Sequence, residues 1–576
     1  MKNVSVAVYV AQRLSDLGLD HVFGVPGDYA FSFDDAVEIV SKLKWVACAN
    51  ELNAAYAADG YGRRFGAAIL STTYGVGELS ALNGVMGCLA HRVPVFHIVG
   101  APSRRIVHQG IVTHHTLGDG VYGNFEALSG SACCVSTVLT PENTIREMER
   151  VIEEAIGQSK PAYIVIPEDY GNMAVIGKPI QGKLLSQIVR RESIQVEVDV
   201  AVDALIKAMQ SAENVVALPS MLVKRFGLEA KLVEFLTKSK LSFALTPMDK
   251  GVVSETLPGY MGIYNGFSSY PEEVSSAVES ADLMLDIGGV IFEDLNTGFW
   301  SDKISQDRMI RIRDTWVQIG DKVWVGTRLE DVLNGLIAKI SSMNTIHTTL
   351  KPQTLEVIGG EKDLTGSSVF YPRIQNMLRA GDVLVAETGT CMLHLAKLLL
   401  PEGVGYESQV LWGSIGWGTP AAFGVAMANK KGRTVLVTGD GSHQLTYNEV
   451  AVMGRYQPKI AIFVLNNGIF GIEDVLSEMG HEYDDLASVK YHLIPDAMGC
   501  QGWVTGRVTT VAELDDAMRR IEQSDAPAYI EVMIPAEESQ PISGDKKDQL
   551  YKLKTPKEVR KNNLFFYDWI FCGFMT

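Results

Sequence analysis

The residues best equipped for chemistry stand at the ends of two apolar runs. VLVTGDGSHQLTYNEV (435–450) closes its run on Gly439-Asp440-Gly441 and enters a helix near Ser442. IAIFVLNN (460–467) closes on Asn466-Asn467. Asp440 offers a carboxylate, Asn467 a neutral amide oxygen, and the next turn a backbone carbonyl. Magnesium takes such hard oxygen donors and leaves its other positions to phosphates and water. Glycines beside Asp440 let the backbone approach a phosphate, and the free N–H groups at the helix start can receive an anion. An Asp-Gly turn alone is ordinary. Paired with a strand-terminal Asn-Asn on a neighbouring strand, it points to a metal-held diphosphate.

A second set of candidates lies in the first third of the chain. Glu51 follows the apolar WVACAN and opens an Ala-rich helix, where an acid also favours the helix dipole. Asp28 follows Gly-Val-Pro-Gly, a place where a turn Asp is common. His114 and His115 are adjacent, and an extended backbone would point their rings to opposite sides. Acids with imidazoles are the set that moves protons near neutral pH.

The elements that position these groups follow a repeated strand, turn, helix pattern. Short apolar runs at 95–102, 162–169, 283–289, 383–389, 435–441 and 460–467 are bounded by Gly or Pro. Such runs read as buried parallel strands feeding crossover helices. The fold class is α/β, with three doubly wound parallel-sheet domains. Two stretches without clear period, 175–198 and 342–365, separate residues 1–180, 190–345 and 360–540. A charged segment and an aromatic tail occupy 541–576.

Composition narrows the function class. A net charge of −17 argues against nucleic-acid binding, which needs a basic face. No apolar run reaches the ~20 residues that span a bilayer. The amphipathic N-terminus carries Arg13 and Asp16 inside its apolar pattern, unlike a signal peptide. A cytoplasmic enzyme is expected. The seven cysteines are odd in number and show no metal spacing, so Cys48, Cys88, Cys133, Cys134, Cys391, Cys500 and Cys572 read as reduced thiols.

Together these motifs resemble the thiamine-diphosphate enzymes, and among them the 2-oxo acid decarboxylases acting on pyruvate, indolepyruvate, phenylpyruvate or branched-chain substrates. FGVPGDY (23–29), ANELNAAYAADGYGR (49–63), TYGVGELSALNG (73–84), THHTLGDG (113–120), ETGT (387–390), LWGSIGWGTPAA (411–422), the cassette and Glu473 carry the likeness. The resemblance implies thiamine diphosphate and Mg2+ as cofactors. It assigns Glu51 to the cofactor's aminopyrimidine, Gly413 to a backbone contact and Ile415 to the apolar wedge that bends the cofactor. Thr388, Gly389, Gly439, Asp440, Gly441, Ser442, Asn467 and Ile472 complete the cofactor contacts. Asp440, Asn467 and the carbonyl of Ile469 would hold the metal. Asp28, Glu51, His114, His115 and Glu473 would form the catalytic set, and Thr388, Met392, Ile472 and Leu476 the substrate pocket.

The chain departs from that family at 469–471, where Ile-Phe-Gly stands in place of the usual Gly-Tyr-Thr. A positive φ at Ile469 would strain a β-branched residue. Met392 replaces the bulky Trp of many pyruvate decarboxylases, so substrates longer than pyruvate are expected. Residues near 545–560 resemble a helix that covers the active site, with Leu550 and Leu553 as lid contacts. The resemblance further implies a homodimer at minimum and a homotetramer as the common form. The competing reading is a carboligase similar to acetolactate synthase, which shares the cassette and Glu51 but lacks the paired histidines.

Overall fold

The computed structural model describes residues 4–536, apart from 181, 189–191, 341–349 and 478–480. The expected cover helix and aromatic tail, with Leu550, Leu553 and Cys572, lie outside the described residues.

Three sheets organise the chain. The first holds β1 (His21–Gly24), β2 (Lys44–Ala47), β3 (Ala68–Thr73), β4 (Val95–Ala101), β5 (Val135–Val138) and β6 (Ala162–Pro167), in the order β2-β1-β3-β4-β6-β5. The second holds β7 (Val215–Pro219), β8 (Ser242–Leu245), β9 (Tyr260–Ile263), β10 (Leu283–Ile287), β11 (Met309–Ile312), β12 (Trp316–Ile319) and β13 (Lys322–Val325). The third holds β14 (Val383–Ala386), β15 (Gly405–Ser408), β16 (Thr434–Gly439), β17 (Ile460–Asn466), β18 (Val504–Val508) and β19 (Ala528–Met533), in the order β15-β14-β16-β17-β19-β18. Counted within each sheet, the first and third share one strand order, and all their pairings are parallel. The second adds detail to the expected class. Its order is β13-β12-β11-β10-β7-β8-β9, and β12 and β13 form an antiparallel edge on the parallel strands.

The apolar runs form strands because both faces of each sheet are covered. Every residue of β3, β4 and β6 is buried. The first and third units share a core, in which Phe23, Ile98 and Tyr61 join Trp417, Phe423 and Ile462. The seam is the crossing of the Glu51–Phe65 and Gly418–Ala428 helices. A Cβ on Gly60 would sit 2.0 Å from the Ala421 carbonyl oxygen, and one on Gly424 would sit 1.8 Å from that of Ala57. Only glycine allows backbones to meet this closely. Charge locks the same seam. Arg63 pairs with Asp59 at 2.9 Å, and Trp417 Nε1 donates to Asp59 at 2.6 Å.

The middle unit keeps a core of its own, built on Leu205, Phe235, Leu285 and Leu333. Lys224 ties it to the third unit through Glu407 at 2.7 Å. Burial would raise the Glu407 carboxyl, but Lys224, Arg225, Arg63 and Arg64 outweigh it and hold the group at about 2. Among the described residues Cys48, Cys88, Cys391 and Cys500 are buried, Cys133 and Cys134 partly so, and all six are free thiols. No helix among these residues is long and apolar enough to cross a membrane.

Candidate active site

Every candidate in the two terminal units lies beyond the carboxyl edge of a parallel strand, where open α/β sheets bind ligands. In the first sheet Asp28 follows β1, Glu51 follows β2, and His114 and His115 follow β4. In the third, Thr388 and Gly389 follow β14, Gly413 and Ile415 follow β15, Asp440 follows β16, and Asn467 follows β17. The shared strand order therefore gives the two units matching edges.

The first group is an acid–imidazole cluster. His114 Nε2 stands 2.8 Å from Asp28 Oδ2. The two histidine rings are 4.5 Å apart in an edge arrangement, which corrects the expectation of opposed side chains. The reason is local. Residues 114–115 form a turn rather than extended chain, and His115 sits at φ 60°. One ligand atom from each of Asp28, His114 and His115 lies within 4.8 Å of the others. Tyr29, the last residue of the FGVPGDY run, stacks on His114 at 4.9 Å. Gly75 closes the back of the cluster, since a Cβ there would meet the His115 carbonyl at 2.5 Å.

Glu51 is the first residue of its helix. Asn50 caps that helix by accepting from the Asn53 N–H at 2.8 Å. The Glu51 carboxylate reaches Gly77, where a Cβ would come within 3.3 Å of it.

The second group surrounds Asp440. The helix begins at Asp440, earlier than Ser442 as read from sequence, with Gly439 as its cap. Asp440 accepts from the N–H of Gly441 at 3.0 Å and of Gly468 at 2.8 Å. The second bond closes the distance between the two strand ends. Burial pushes the Asp440 carboxyl up to about 6 despite these donors. Asn467 Oδ1 accepts from the Ile469 N–H at 3.3 Å. Asn466 points the other way and donates to Glu531 on β19 at 2.7 Å. The strained turn falls on Gly468, at φ 75°, while Ile469 keeps a negative φ. The Ile469 substitution is thus accommodated without strain. Phe470 fills space over Gly441, where a Cβ would come within 2.6 Å of its ring.

Thr388 is buried, and its hydroxyl donates to the Gln409 carbonyl at 3.0 Å, beside Gly413. Its neighbour Glu387 does work that the ETGT motif concealed. It accepts from the N–H groups of Thr388 and Gly418 and from the Thr438 hydroxyl, and burial raises it to about 7. Met392 and Ile472 pack in one apolar cluster with Met221, Met248 and Leu295 of the middle unit. Leu476 packs with Phe299 and Leu295. The middle-unit side chains of this wall carry no motif, and only the fold could find them. Glu473 is exposed in the first turn of its short helix, away from the acid–imidazole cluster in sequence.

Three family descriptions match the chain in order. The N-terminal binding domain of thiamine pyrophosphate enzymes covers residues 4–121, the central domain 202–336, and the C-terminal binding domain 387–532. The alpha-keto-acid decarboxylase of Mycobacterium leprae is 34% identical over 92% of this chain and 93% of that protein. The protein of the same name from Mycolicibacterium paratuberculosis is 34% identical over 92% and 94%. The chain belongs to the thiamine pyrophosphate enzyme family. A 4-hydroxybenzoylformate decarboxylase of Rhodococcus jostii shares the fold, with a TM-score of 0.75, 19% identity and coverage of 92% and 99%.

The edges fit what thiamine pyrophosphate enzymes must hold. A Cβ on Gly439 or Gly468 would meet nothing within 4 Å, so open space flanks the Asp440 turn. The Asp440 carboxylate and the Asn467 amide oxygen stand at this turn, oxygen donors of the kind a hard divalent cation takes. The short helix start adds N–H groups for a diphosphate.

Proposed function

We propose that this chain decarboxylates 2-oxo acids without oxidation, releasing an aldehyde and CO2, with thiamine diphosphate and Mg2+ as cofactors. The cluster of Asp28, His114 and His115 at the sheet edge of a thiamine pyrophosphate enzyme carries this reading. The names of the curated relatives support the same reaction class.

When bound, thiamine diphosphate supplies the electron sink. The protein supplies the rest. Asp440, Asn467 and the Ile469 carbonyl would hold Mg2+. Gly389, Gly439, Gly441 and Ser442 line the phosphate cradle, and Gly413, Ile415 and Ile472 seat the rings. Glu51 holds a proton at the aminopyrimidine nitrogen. Asp28 and Glu473 disfavour the substrate carboxylate over the neutral product. His114 and His115 would hold and pass protons near neutral pH. The active unit is a cytoplasmic homodimer at minimum, commonly paired into a tetramer.

The pocket takes side chains longer than the pyruvate methyl. Met392, Ile472 and Leu476 line it, and Met221, Met248 and Leu295 extend its apolar wall. An aldehyde-release assay over pyruvate, 2-oxohexanoate and phenylpyruvate tests this, with and without cofactor and Mg2+. Turnover should require both and should favour the larger acids. Preference for pyruvate would sink the pocket reading, and acyloin in place of aldehyde would indicate a carboligase.

A further inference from the structure

A carboxyl outside the catalytic set grips the turn that carries Glu51. Glu449 begins the Glu449–Tyr456 helix, just beyond the cassette, and is fully buried. Its Oε2 accepts from the Ala49 N–H at 3.1 Å and from Asn53 Nδ2 at 2.9 Å. Asn53 Nδ2 also donates to Asn448 Oδ1 at 2.9 Å. Ala49 and Asn53 bracket Glu51 on both sides, and the Cys48 thiol lies against the same carboxyl. Nothing in the cassette's own chemistry requires this reach across units. A buried carboxyl is costly to desolvate, and here its bonds all converge on one turn of another unit.

We infer that Glu449 is a positioning residue for Glu51, clamping the first turn of the Glu51–Phe65 helix to the unit that carries the diphosphate cassette. Asn50 caps that turn from inside the helix, while Glu449 fixes it from outside. A carboxylate that must hold a proton at one ring nitrogen has to be placed within a fraction of an ångström. The Glu449 side chain supplies an external reference for that placement. Its second oxygen, Oε1, is buried without a hydrogen-bond partner, and burial raises the carboxyl. The geometry therefore tolerates a neutral acid or an amide in this position, but not an apolar side chain.

The inference rests on the reading of Glu51 as cofactor activator, and the test separates the two. Amide hydrogen exchange on the cofactor-free protein follows the peptide spanning 46–53. In Glu449→Ala that peptide should exchange about tenfold faster, with the rest of the helix unchanged. The holoenzyme should lose about tenfold or more in kcat, with KM for the 2-oxo acid and the affinity for thiamine diphosphate held within about threefold. Glu449→Gln keeps an acceptor oxygen and should recover most of both, which also guards against a variant that fails to fold. Unchanged exchange at 46–53, or faster exchange with full kcat, would overturn the inference. Full activity in Glu51→Gln would instead overturn the reading of Glu51, and the exchange result would still judge the clamp.

Discussion

Glu51 and Asp440 show how a residue's surroundings select its task. Glu51 heads a capped helix, with Gly77 leaving room for its carboxylate. Glu51→Gln should reduce aldehyde release by about a thousandfold or more while Mg2+-dependent binding of thiamine diphosphate stays nearly intact, because an amide cannot exchange the proton. Parallel losses of binding and turnover in a titration monitored by protein fluorescence would contradict that role. His97 offers a test of burial alone. Its Nε2 lies 2.9 Å from the Thr72 hydroxyl between β4 and β3, and burial lowers it to about 3. The unfolded chain takes up a proton near pH 6.5 that the folded protein refuses, so this site destabilises the fold as pH falls from there towards 3. His97→Gln removes the effect. The stability advantage of the native protein over the variant should therefore shrink by about 2 kcal/mol between pH 7 and pH 5. Denaturant titrations of both proteins that shift in parallel would show that His97 charges within the fold.

At the scale of elements, the crossing of two small-residue helices joins the first and third units. The Gly60 and Gly424 contacts leave no volume for a methyl group. Gly424→Ala should cost about 3 kcal/mol through overpacking, read as a lower unfolding midpoint. Gly157, inside the Thr144–Gln158 helix with nothing within 4 Å of its Cβ position, is the control. There Ala should be neutral or stabilising by about 1 kcal/mol, through helix propensity alone. Equal effects at the two sites would mean that the helices do not cross as closely as described.

At the scale of the whole molecule, the two matching sheet edges set the assembly question. If each active site joins the first unit of one chain to the third unit of its partner, neither chain is active alone. Glu51→Gln and Asp440→Ala homodimers should both be inactive. After subunit exchange, half of the dimers are mixed, and each mixed dimer holds one intact site of two. Activity should then recover to roughly a quarter of the native level. No recovery, with exchange verified by native mass spectrometry, would place each site within a single chain.

The sequence by itself determined the strand ends and the chemistry placed on them. Gly439-Asp440-Gly441 and Asn466-Asn467 were legible because their types and spacing answer to a local rule, a turn after a buried run. The α/β class was legible for the same reason, since short apolar runs repeat along the chain. What depends on distant contacts was decided only by tertiary structure. The turn that brings the His114 and His115 rings together packs against Gly75 and Tyr29, both remote in sequence. The tolerance of Ile469 follows from Gly468 absorbing the positive φ. Leu295 joined the apolar clusters of Ile472 and Leu476 only once the middle unit had packed against them. Glu449 acquired its partners at Ala49 and Asn53 only once the two units had met. Local patterns encode which groups are available, and the packing of elements far apart in the chain decides which of them touch.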